Sequence, residues 1–416
     1  MAELIFKWSV SGLYRVAITG IGIVSCLGDD LEGIGSALRE GRSGIVADPH
    51  RAELGFRSSL TGQVKDFDSS VLSRKQRKSM PEFAVWAYAS ACDALKLAGL
   101  AEDSIQNDQT GVIYGCDSSC LAAIEQVDAL HLRGETKGIG SGQIFRSMTS
   151  TVTMNLNTLL KTKGACWTLS SACSSGGHAV GQAADLIRLG RQERIICGGA
   201  QEVNWQSMCS FDGLGAFSMQ VDNPATACRP FDAMRDGLVP SGGAATVILE
   251  RYDLAEQRGA TILGELLGYG FSSDGAQLSV PSDNGLSRAM LSALKQADLT
   301  PPEIDYLCAH ATATPAGDAA EAANIRRVFG AETPGISALK ALTGHELWMS
   351  GAAQVVYTTI MAQQGFTAAN FNFNEPDEGT VGLNIIRETL PNPPGKVLCN
   401  SAGFGGTNSS LVIAFS

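Results

Sequence analysis

The chain of 416 residues contains no apolar run long enough to cross a bilayer, which indicates a protein without a membrane span. The segment 16–27 could be mistaken for the apolar core of a signal peptide, but Thr19, Gly20, Gly22 and Ser25 interrupt it. We therefore predict a strand, a glycine turn and the start of a helix there. Low-complexity segments and blocks of like charge are also missing, which argues against long disordered regions.

The eleven cysteines lack the paired spacing of a zinc site. The closest two, Cys116 and Cys120, have no second pair and no histidine partner nearby. Single cysteines scattered in this way favour a reducing compartment, so we expect a cytoplasmic protein that holds no metal ion. A formal net charge of −11 disfavours nucleic acid and anionic membranes as partners, although it is compatible with one local basic patch.

A dinucleotide-binding loop is missing as well. The segment R-V-A-I-T-G-I-G-I, residues 15–23, looks like one only superficially, because Ser25 stands where the G-x-G-x-x-G pattern needs its third glycine. The weakly patterned residues 1–14 before it are expected to lie outside the core.

Apolar strands alternate with helical patterns along the chain, and the alternation restarts near residue 262. We predict strands over 15–23, 111–114, 166–169, 194–198 and 243–249, and then over 262–267, 304–309, 336–339, 397–400 and 411–415. Helical patterns lie between them, at 34–42, 83–97, 286–298, 318–329, 347–364 and over much of 120–162. This alternation predicts an α/β fold of parallel sheets covered by helices on both faces. The two runs predict two similarly built halves, 15–261 and 262–416.

One stretch combines a strand, a turn and a helix around a single cysteine. In C-W-T-L-S-S-A-C-S-S-G-G-H-A-V-G, residues 166–181, Cys173 falls where the helix begins. The helix dipole and the free backbone N–H groups at that end favour the thiolate, which is the nucleophilic form of cysteine. The alternative is a buried structural cysteine, which is the commoner role of this residue. His178, further along the helix, points elsewhere and is interpreted as structural.

Three strands of the second half end in polar or glycine-rich segments. The first, A-H-A-T-A-T-P-A-G-D, carries His310. The second, L-K-A-L-T-G-H, carries Lys340 and His345, and the third, N-S-A-G-F-G-G-T-N, carries Phe404. Ligands of open α/β sheets bind beyond the carboxyl ends of strands, so these segments can converge on one crevice with Cys173. Each histidine taken alone is more often structural than catalytic.

These four segments, in this order and approximate spacing, resemble the motifs of the β-ketoacyl-acyl carrier protein synthases. The segment around Cys173 resembles the nucleophile elbow of that family, and the others resemble its first histidine motif, its lysine–histidine motif and its glycine-rich C-terminal loop. The segments S-A-L-R-E-G-R-S-G-I, W-Q-S-M-C-S-F-D-G-L-G-A-F-S and R-D-G-L-V bring the chain closest to the synthase I branch. The resemblance covers nearly the whole chain, 15–415.

The resemblance implies a thiolase-like fold, in which two similar βαβ halves pack as an α-β-α-β-α layered sandwich, usually in a homodimer. It also implies a decarboxylating Claisen condensation in fatty-acid elongation, between an acyl thioester on Cys173 and malonyl-acyl carrier protein. His310 and His345 would assist decarboxylation and stabilise the enolate, and Lys340 would tune the charge of the site. The implied partner is an acyl carrier protein carrying acyl and malonyl groups. No metal or redox cofactor is implied, because phosphopantetheine arrives on the carrier.

The family's binding residues carry over to further positions. The backbone N–H groups of the nucleophile and of Phe404 would form the oxyanion hole, and Phe404 would gate the two half-reactions. Thr312 and Thr314 would hydrogen-bond the phosphopantetheine arm. Ser118 and Phe211 match positions of the substrate site, and a side chain as small as Ser118 would leave a longer or more permissive acyl tunnel.

The chain departs from the family pattern at four positions. Ala311 follows the first histidine, where the family usually has glycine. After the second histidine, the family's run of small residues is replaced by G-H-E-L-W-M-S-G, with Trp348 and Met349. Gln354 stands where many members have a glutamate that pairs with the lysine. We expect these departures to affect the pH optimum and the shape of the substrate rather than the condensation itself.

The segment S-R-K-Q-R-K-S-M, residues 73–80, is the densest basic cluster of an acidic chain. It resembles the carrier-docking segment of the synthase I branch, and we assign Arg74, Lys75 and Lys78 to that surface, with Lys137 as a weaker addition. A local positive patch is needed because the acyl carrier protein is itself acidic. The alternative is a solvated charged turn, which is what most charge runs are.

Three other functions fit parts of the pattern. A ketosynthase of a specialised polyene or polyketide pathway would use the same residues. A non-catalytic subunit, like a chain-length factor in a heterodimer, typically lacks the nucleophile, which is present here. A degradative thiolase would need a second catalytic cysteine in the C-terminal loop, and N-S-A-G-F-G-G-T-N has none, since Cys399 lies just before it.

Overall fold

The computed structural model describes residues 12–415, so most of the segment 1–14, predicted to lie outside the core, is outside the described residues. Twelve strands lie in the described range: β1 (Val16–Val24), β2 (Ile45–Ala47), β3 (Leu60–Gly62), β4 (Thr110–Gly115), β5 (Cys166–Leu169), β6 (Arg194–Gln201), β7 (Gly243–Arg251), β8 (Gly264–Ser273), β9 (Tyr306–Cys308), β10 (Gly335–Ser337), β11 (Lys396–Gly403) and β12 (Thr407–Ala414).

Sixteen α-helices lie in the same range: α1 (Leu31–Glu40), α2 (Pro49–Glu53), α3 (Arg74–Arg77), α4 (Glu82–Leu97), α5 (Glu102–Ile105), α6 (Cys120–Arg133), α7 (Gln143–Arg146), α8 (Thr151–Leu160), α9 (Ser175–Arg188), α10 (Trp205–Gly213), α11 (Pro224–Ala227), α12 (Tyr252–Gln257), α13 (Gly285–Gln296), α14 (Pro315–Phe329), α15 (Lys340–Thr343) and α16 (Ser350–Gln364). Four short 3-10 turns accompany them: Ser69–Val71, Ala172–Ser174, Pro301–Glu303 and Leu347–Met349. No helix among the described residues is long and apolar enough to cross a membrane.

Ten of the strands form one sheet, in the order β10-β9-β11-β12-β8-β1-β7-β6-β4-β5, and β2 and β3 form a separate ribbon. The two halves of the ten-stranded sheet repeat each other. The order and directions of the strands are the same in β8, β12, β11, β9 and β10 as in β1, β7, β6, β4 and β5. The halves meet where β1 pairs with β8 at only two positions, Ala17 with Glu265 and Ile18 with Gly264. The sheet contains the two similarly built halves that were predicted. The boundary at residue 262 stays a prediction.

The prediction of parallel sheets is wrong for part of each half. Parallel pairing joins β4 to β5 and β6, and β9 to β10 and β11, but β7 and β12 pair antiparallel with both of their neighbours. The connection between β11 and β12 is only 404–406, too short for the crossover that a parallel pair needs. Gly405 and Gly406 have φ of 78° and 71°, left-handed values that suit so tight a turn. β12 begins at Thr407, earlier than predicted. The prediction began later because the polar first half of the strand does not match the pattern of a buried strand.

Helices complete five layers in the order α-β-α-β-α, as predicted. α4 and α8 cover the outer face of the first half-sheet, and α13 and α14 cover that of the second. α9 and α16 pack against each other between the two half-sheets. They approach so closely that a Cβ on Gly351 would lie 2.4 Å from the nitrogen of Gly177. This crossing brings the start of α9, which follows the nucleophile turn, next to the start of α16, which follows the second histidine segment.

Candidate active site

Cys173 belongs to the 3-10 turn Ala172–Ser174, which lies between β5 and α9. Ala172 has a φ of 47°, a left-handed conformation that costs free energy in a residue with a side chain. Ser175 holds the turn, because its Oγ donates to the Ala172 carbonyl at 2.6 Å and accepts from the Ser171 N–H at 2.8 Å. The strand–turn–helix setting predicted for this cysteine is therefore present, and local hydrogen bonds maintain its strained backbone.

The loop between β11 and β12 lies directly against this turn. Thr407 Oγ1 donates to the Ser171 carbonyl at 3.0 Å. A Cβ on Gly403 would lie 2.8 Å from that carbonyl oxygen and 3.0 Å from the Cys173 nitrogen, so only glycine permits the approach. The backbone N–H groups of Cys173 and Phe404 both lower the pKa of the Cys173 thiol, so both lie close to its sulfur. The two donors expected in an oxyanion hole thus come from opposite halves of the chain.

Burial dominates the electrostatics of the cysteine. It raises the pKa of the Cys173 thiol to about 12, and the Asp117 carboxylate adds to the rise. The Lys340 ammonium and the N–H groups of Cys173 and Phe404 lower this pKa by less than burial raises it. The helix terminus was expected to favour the thiolate, whereas burial acts in the opposite direction and favours the thiol form in the protein without substrate.

His310 and His345 follow β9 and α15 and stand side by side, with their ring centroids 5.2 Å apart. His345 Nδ1 lies 3.2 Å from Ser350 Oγ, whereas His310 Nδ1 has no hydrogen-bond partner among residues 12–415. Burial lowers the pKa of both imidazoles well below the ordinary value, and the Lys340 charge lowers it further. Both rings are therefore neutral near pH 7, and each carries one N–H donor.

A cavity of about 260 Å³ connects these groups. Its walls include seven of the residues selected from the sequence: Cys173, Phe211, His310, Thr312, Thr314, His345 and Phe404. The hydroxyls of Thr312 and Thr314 lie 3.1 Å apart, and the ring of Phe404 stacks on that of Phe211 at 5.8 Å. Lys340 is buried outside the walls of this cavity, so it acts on the thiol and the imidazoles through its charge.

Two buried carboxylates, to which the sequence analysis gave no role, hold the backbone of the first histidine segment. Glu321 accepts the N–H groups of His310 and Ala311 at 2.9 and 2.7 Å. Asp318 accepts the next two N–H groups of the segment at 3.0 and 3.1 Å. Both carboxylates lie on α14, which begins at Pro315 within the segment, so Asp318 is the last residue of that segment. The signal for Asp318 was its place in the first turn of that helix, where acidic residues are favoured.

Gln354 connects the ends of β9 and β11 beneath the histidines. Its Nε2 donates to the Ala309 carbonyl at 2.9 Å, and its Oε1 accepts from Ser401 Oγ at 3.3 Å. An ionised glutamate at this position could not donate the first of these bonds. The amide therefore suits this site, and the departure from the family pattern has a structural role.

A buried carboxylate is found instead at Glu346, directly after His345. Tyr357 OH donates to it at 2.6 Å. Burial raises the pKa of Glu346 to about 7, although the Tyr357 hydrogen bond and the Lys340 charge both lower it. The second histidine segment thus contains a carboxyl group whose charge depends on pH in the physiological range.

The longer or more permissive acyl tunnel expected beside Ser118 stays a prediction, and it considered that side chain alone. Trp348 Nε1 donates to Ser118 Oγ at 3.2 Å, so an indole occupies the space next to it. Met349, the other bulky departure, is fully buried. Ser118 lies outside the walls of the cavity at Cys173.

The basic cluster forms the surface helix α3. Ser73 and Gln76 cap it reciprocally, and Arg74, Lys75 and Lys78 are exposed. Within residues 12–415 none of these three takes part in an ion pair. Lys137 is exposed on the segment between α6 and α7.

His178 lies outside the cavity walls, and its Nδ1 is 2.6 Å from Tyr269 OH. This placement agrees with its interpretation as structural. The part of the chain that the structure describes holds no group of three or more histidine, cysteine or acidic side chains arranged for a metal ion.

A duplicated α/β sheet with a cysteine, two neutral histidines and two backbone donors at one cavity defines a condensing enzyme with the thiolase-like fold. The family model "Beta-ketoacyl synthase, N-terminal domain" matches residues 14–255, and the model "Beta-ketoacyl synthase, C-terminal domain" matches residues 263–374. The chain therefore belongs to the β-ketoacyl synthase family.

Similar proteins agree with this assignment over almost the full length. The 3-oxoacyl-[acyl-carrier-protein] synthase 1 of Escherichia coli (strain K12) is 40% identical over 402 residues, which cover 96% of this chain and 98% of the relative. A crystal structure of a β-ketoacyl synthase from Burkholderia phymatum STM815 superposes with a TM-score of 0.92 at 35% identity, covering 97% of this chain and 100% of that one. A ketosynthase in complex with a type II polyketide acyl-carrier protein has a TM-score of 0.88 at 27% identity over 97% and 100% of the two chains. The predicted family and its synthase I branch are confirmed.

Proposed function

We propose that the protein elongates fatty acids, by joining an acyl group held on Cys173 to a two-carbon unit from malonyl-acyl carrier protein. The observation that carries this proposal is the cavity at which Cys173, His310, His345 and the N–H of Phe404 meet. A nucleophile that can hold an acyl group and donors that can hold an enolate are the two things the condensation needs. The similarity to 3-oxoacyl-[acyl-carrier-protein] synthase 1 supports the same reaction.

In the first half-reaction, Cys173 attacks the thioester carbonyl of the acyl-carrier protein. The carbonyl oxygen becomes an oxyanion, which the N–H groups of Cys173 and Phe404 stabilise. The carbon–sulfur bond to phosphopantetheine then breaks, and the thiol proton ends on the departing phosphopantetheine sulfur. The neutral imidazoles beside Cys173 are positioned to carry that proton, because a neutral ring nitrogen can accept it.

In the second half-reaction, the malonyl thioester loses carbon dioxide and becomes an enolate. His310 and His345 donate N–H groups to the thioester oxygen, and their low pKa values keep them neutral donors. The enolate carbon attacks the acyl group on Cys173, and the cysteine leaves as a thiolate that takes up a proton. The electron pair comes from the lost carboxylate, so this step requires no metal ion and no redox cofactor.

The remaining cavity residues bind and orient the substrate in this proposal. Thr312 and Thr314 hydrogen-bond the phosphopantetheine arm, which arrives on the carrier. Phe404 gates the two half-reactions, since its ring is 40% exposed and stacks on Phe211. Lys340 helps to stabilise the thiolate and opposes protonation of the imidazoles through its charge.

The partner in this proposal is an acyl carrier protein that docks on α3. Arg74, Lys75 and Lys78 present free positive charge on a chain of net charge −11, which steers an acidic partner to one face. Lys137 adds a further exposed positive charge. The solved complex of a ketosynthase with a type II polyketide acyl-carrier protein supports a partner of this class.

We further propose a cytoplasmic homodimer that pairs along β5. This strand is an edge of the ten-stranded sheet and exposes Trp167, whereas the opposite edge strand, β10, is covered by the segment 384–386. α6 and α7, in the same half of the chain, carry exposed apolar side chains: Ile124, Val127, Leu130, Leu132, Ile144 and Phe145. Two copies that pair their β5 edges by a two-fold axis would cover this surface. All eleven cysteines are free, in keeping with a reducing compartment.

Condensation is tested with acyl-carrier protein and malonyl-carrier protein as the two substrates. We expect an acyl adduct on Cys173 by intact-mass and peptide analysis, then carbon dioxide release and a 3-oxoacyl-carrier product. Acylation of Cys173 without any 3-oxoacyl product would contradict the proposal and favour a transferase without condensation. A product extended repeatedly to a polyene or polyketide would favour the specialised pathway instead.

A further inference from the structure

Trp348 packs in the same apolar cluster as the nucleophile. This cluster consists of Cys173, Met208, Phe217, Leu238, Leu347 and Trp348. The turn Leu347–Met349 packs directly on the nucleophile turn Ala172–Ser174. Trp348 is 7% exposed, and its neighbours in the cluster are buried at least as deeply. The apolar cluster beside Cys173 is thus buried, and its largest member is an indole.

The indole is fixed at both of its ends. Its Nε1 donates to Ser118 Oγ at 3.2 Å. At the backbone, Leu347 has a φ of 45°, a left-handed value that a residue with a side chain adopts only when its surroundings impose it. The Trp348 carbonyl faces Gly176 and Gly199, where an added Cβ would lie only 2.9 and 2.8 Å away. Because its Nε1 is hydrogen-bonded and the backbone around it is tightly packed, the indole is held rigidly. Met208 in the same cluster, in contrast, can change rotamer.

An acyl group on Cys173 has to leave the histidine side of the cavity free. The malonyl unit must reach His310 and His345 while the acyl group is still attached to the sulfur. The acyl chain therefore extends away from them, toward apolar side chains, because its methylene groups gain free energy only where water is excluded. Trp348 is the largest side chain of the apolar cluster that contains Cys173, so a chain that extends into this cluster meets the indole.

We propose that Trp348, held by Ser118, limits the acyl groups that this enzyme elongates to short ones. This inference rests on the proposed function, and it names the substrate class of that site. Acetyl and butanoyl groups fit beside the indole, whereas dodecanoyl and longer chains would have to displace it. Forcing extra methylene groups into a packed core costs enough to slow acylation by at least about tenfold.

The first experiment uses the wild-type protein and needs no variant. Acyl-carrier proteins from acetyl to hexadecanoyl are incubated with it, and the rate of acylation of Cys173 is followed by intact mass. We expect fast acylation with acetyl and butanoyl and a drop of at least about tenfold by dodecanoyl. Equal rates with hexadecanoyl and butanoyl would overturn the inference and leave the proposed function intact. No acylation at any chain length would overturn the proposed function itself.

The second experiment changes the wall. Trp348→Leu should extend the accepted chain length, so that the ratio of dodecanoyl to butanoyl acylation rises by about tenfold or more. Trp348→Phe keeps an aromatic ring and gives an intermediate ratio, and it is the variant to use if Trp348→Leu does not purify folded. The matched control is Trp86→Leu, since Trp86 is also buried, at 3% exposed, but lies on α4 in another cluster. An unchanged ratio in both folded Trp348 variants, or an equal rise in the control, would overturn the inference.

Discussion

The imidazole rings of His310 and His345 meet edge to face, with 5.2 Å between centroids and 85° between ring planes. Rings in this arrangement cannot stack, so each keeps an edge available to a ligand in the cavity. Burial lowers the pKa of both rings, and the charge of Lys340 lowers it further. The pair is therefore two neutral donors side by side, which suits an enolate oxygen better than one charged histidine would.

The nucleophile is tested first. Cys173→Ser should lower acyl-enzyme formation by on the order of 10³-fold or more, because a serine hydroxyl ionises far less readily than a thiol. Intact mass after incubation with acyl-carrier protein measures the adduct. Cys209→Ser, which changes an exposed cysteine, is the matched control and should acylate normally. A Cys173→Ser protein that condenses at the wild-type rate would show that the nucleophile is elsewhere.

The two histidines should separate the half-reactions. His310→Ala and His345→Ala should still accept an acyl group on Cys173, at least partly, because the other imidazole remains to carry the thiol proton. Each should release carbon dioxide from malonyl-carrier protein about a hundredfold more slowly, because each donor serves the enolate. Labelled carbon dioxide and the acyl adduct are measured on the same samples. His178→Ala, outside the cavity, is the control for loss of a partly buried imidazole. Normal carbon dioxide release from either cavity variant would refute the division of roles.

The carrier surface is tested by charge reversal. Changing Arg74, Lys75 and Lys78 to Glu should raise the KM for acyl-carrier protein about tenfold at low salt and less at high salt, since exposed charges are screened. The rate with a small acyl thioester that lacks the carrier should not change. The control reverses Lys96, Arg191 and Lys295, which are also exposed, and so makes the same change in net charge.

Two results would count against docking on α3. An equal loss with carrier-bound and free thioesters would mean that the cluster supports the fold. An equal rise in KM in the control would mean that only the net charge matters.

Glu346 should make stability depend on pH. Burial raises its folded pKa from 4.5 to about 7, so the folded state binds the proton more tightly than the unfolded state does. The stability that this proton contributes is present below about pH 4.5 and is lost as pH rises toward 7, by about 3 kcal/mol in all. Glu346→Gln should therefore unfold at a higher denaturant concentration than the wild type at pH 8, and the difference should shrink at pH 5. The exposed Glu378→Gln is the control. A difference independent of pH would disprove a raised pKa at this site.

The proposed dimer is tested on the exposed apolar surface of α6. Leu132 is 87% exposed in the single chain, and Leu132→Glu should shift the mass measured by light scattering from dimer toward monomer, because a charge would be buried in the interface. Leu189→Glu introduces the same charge at an exposed leucine after α9 and should leave the dimer intact. A wild-type protein that is monomeric at micromolar concentration would rule out the homodimer.

The sequence by itself determined the elements and the chemistry-bearing residues, because each lies in a contiguous segment. Cys173, His310, His345 and Phe404 could be selected because a strand, a turn and a polar or glycine-rich run stand next to each other in the chain. The order of strands and helices also predicted two similar halves, and the resemblance to the β-ketoacyl synthases implied their five layers. Pairing directions could not be predicted in the same way, since only the three-residue turn 404–406 reveals that β12 returns antiparallel to β11.

Only the tertiary structure decided the properties that depend on what packs around a group. The Cys173 thiol looks activated at its helix terminus, yet burial raises its pKa to about 12, because removing water disfavours the charged form more than nearby donors favour it. The wall at Ser118 comes from Trp348, which is 230 residues away in sequence. The backbone of His310 is held by Glu321 through hydrogen bonds that no local pattern specifies. Desolvation and contacts between distant segments exist only once the chain has folded, and at this cavity they set the charge of the thiol and the space beside it.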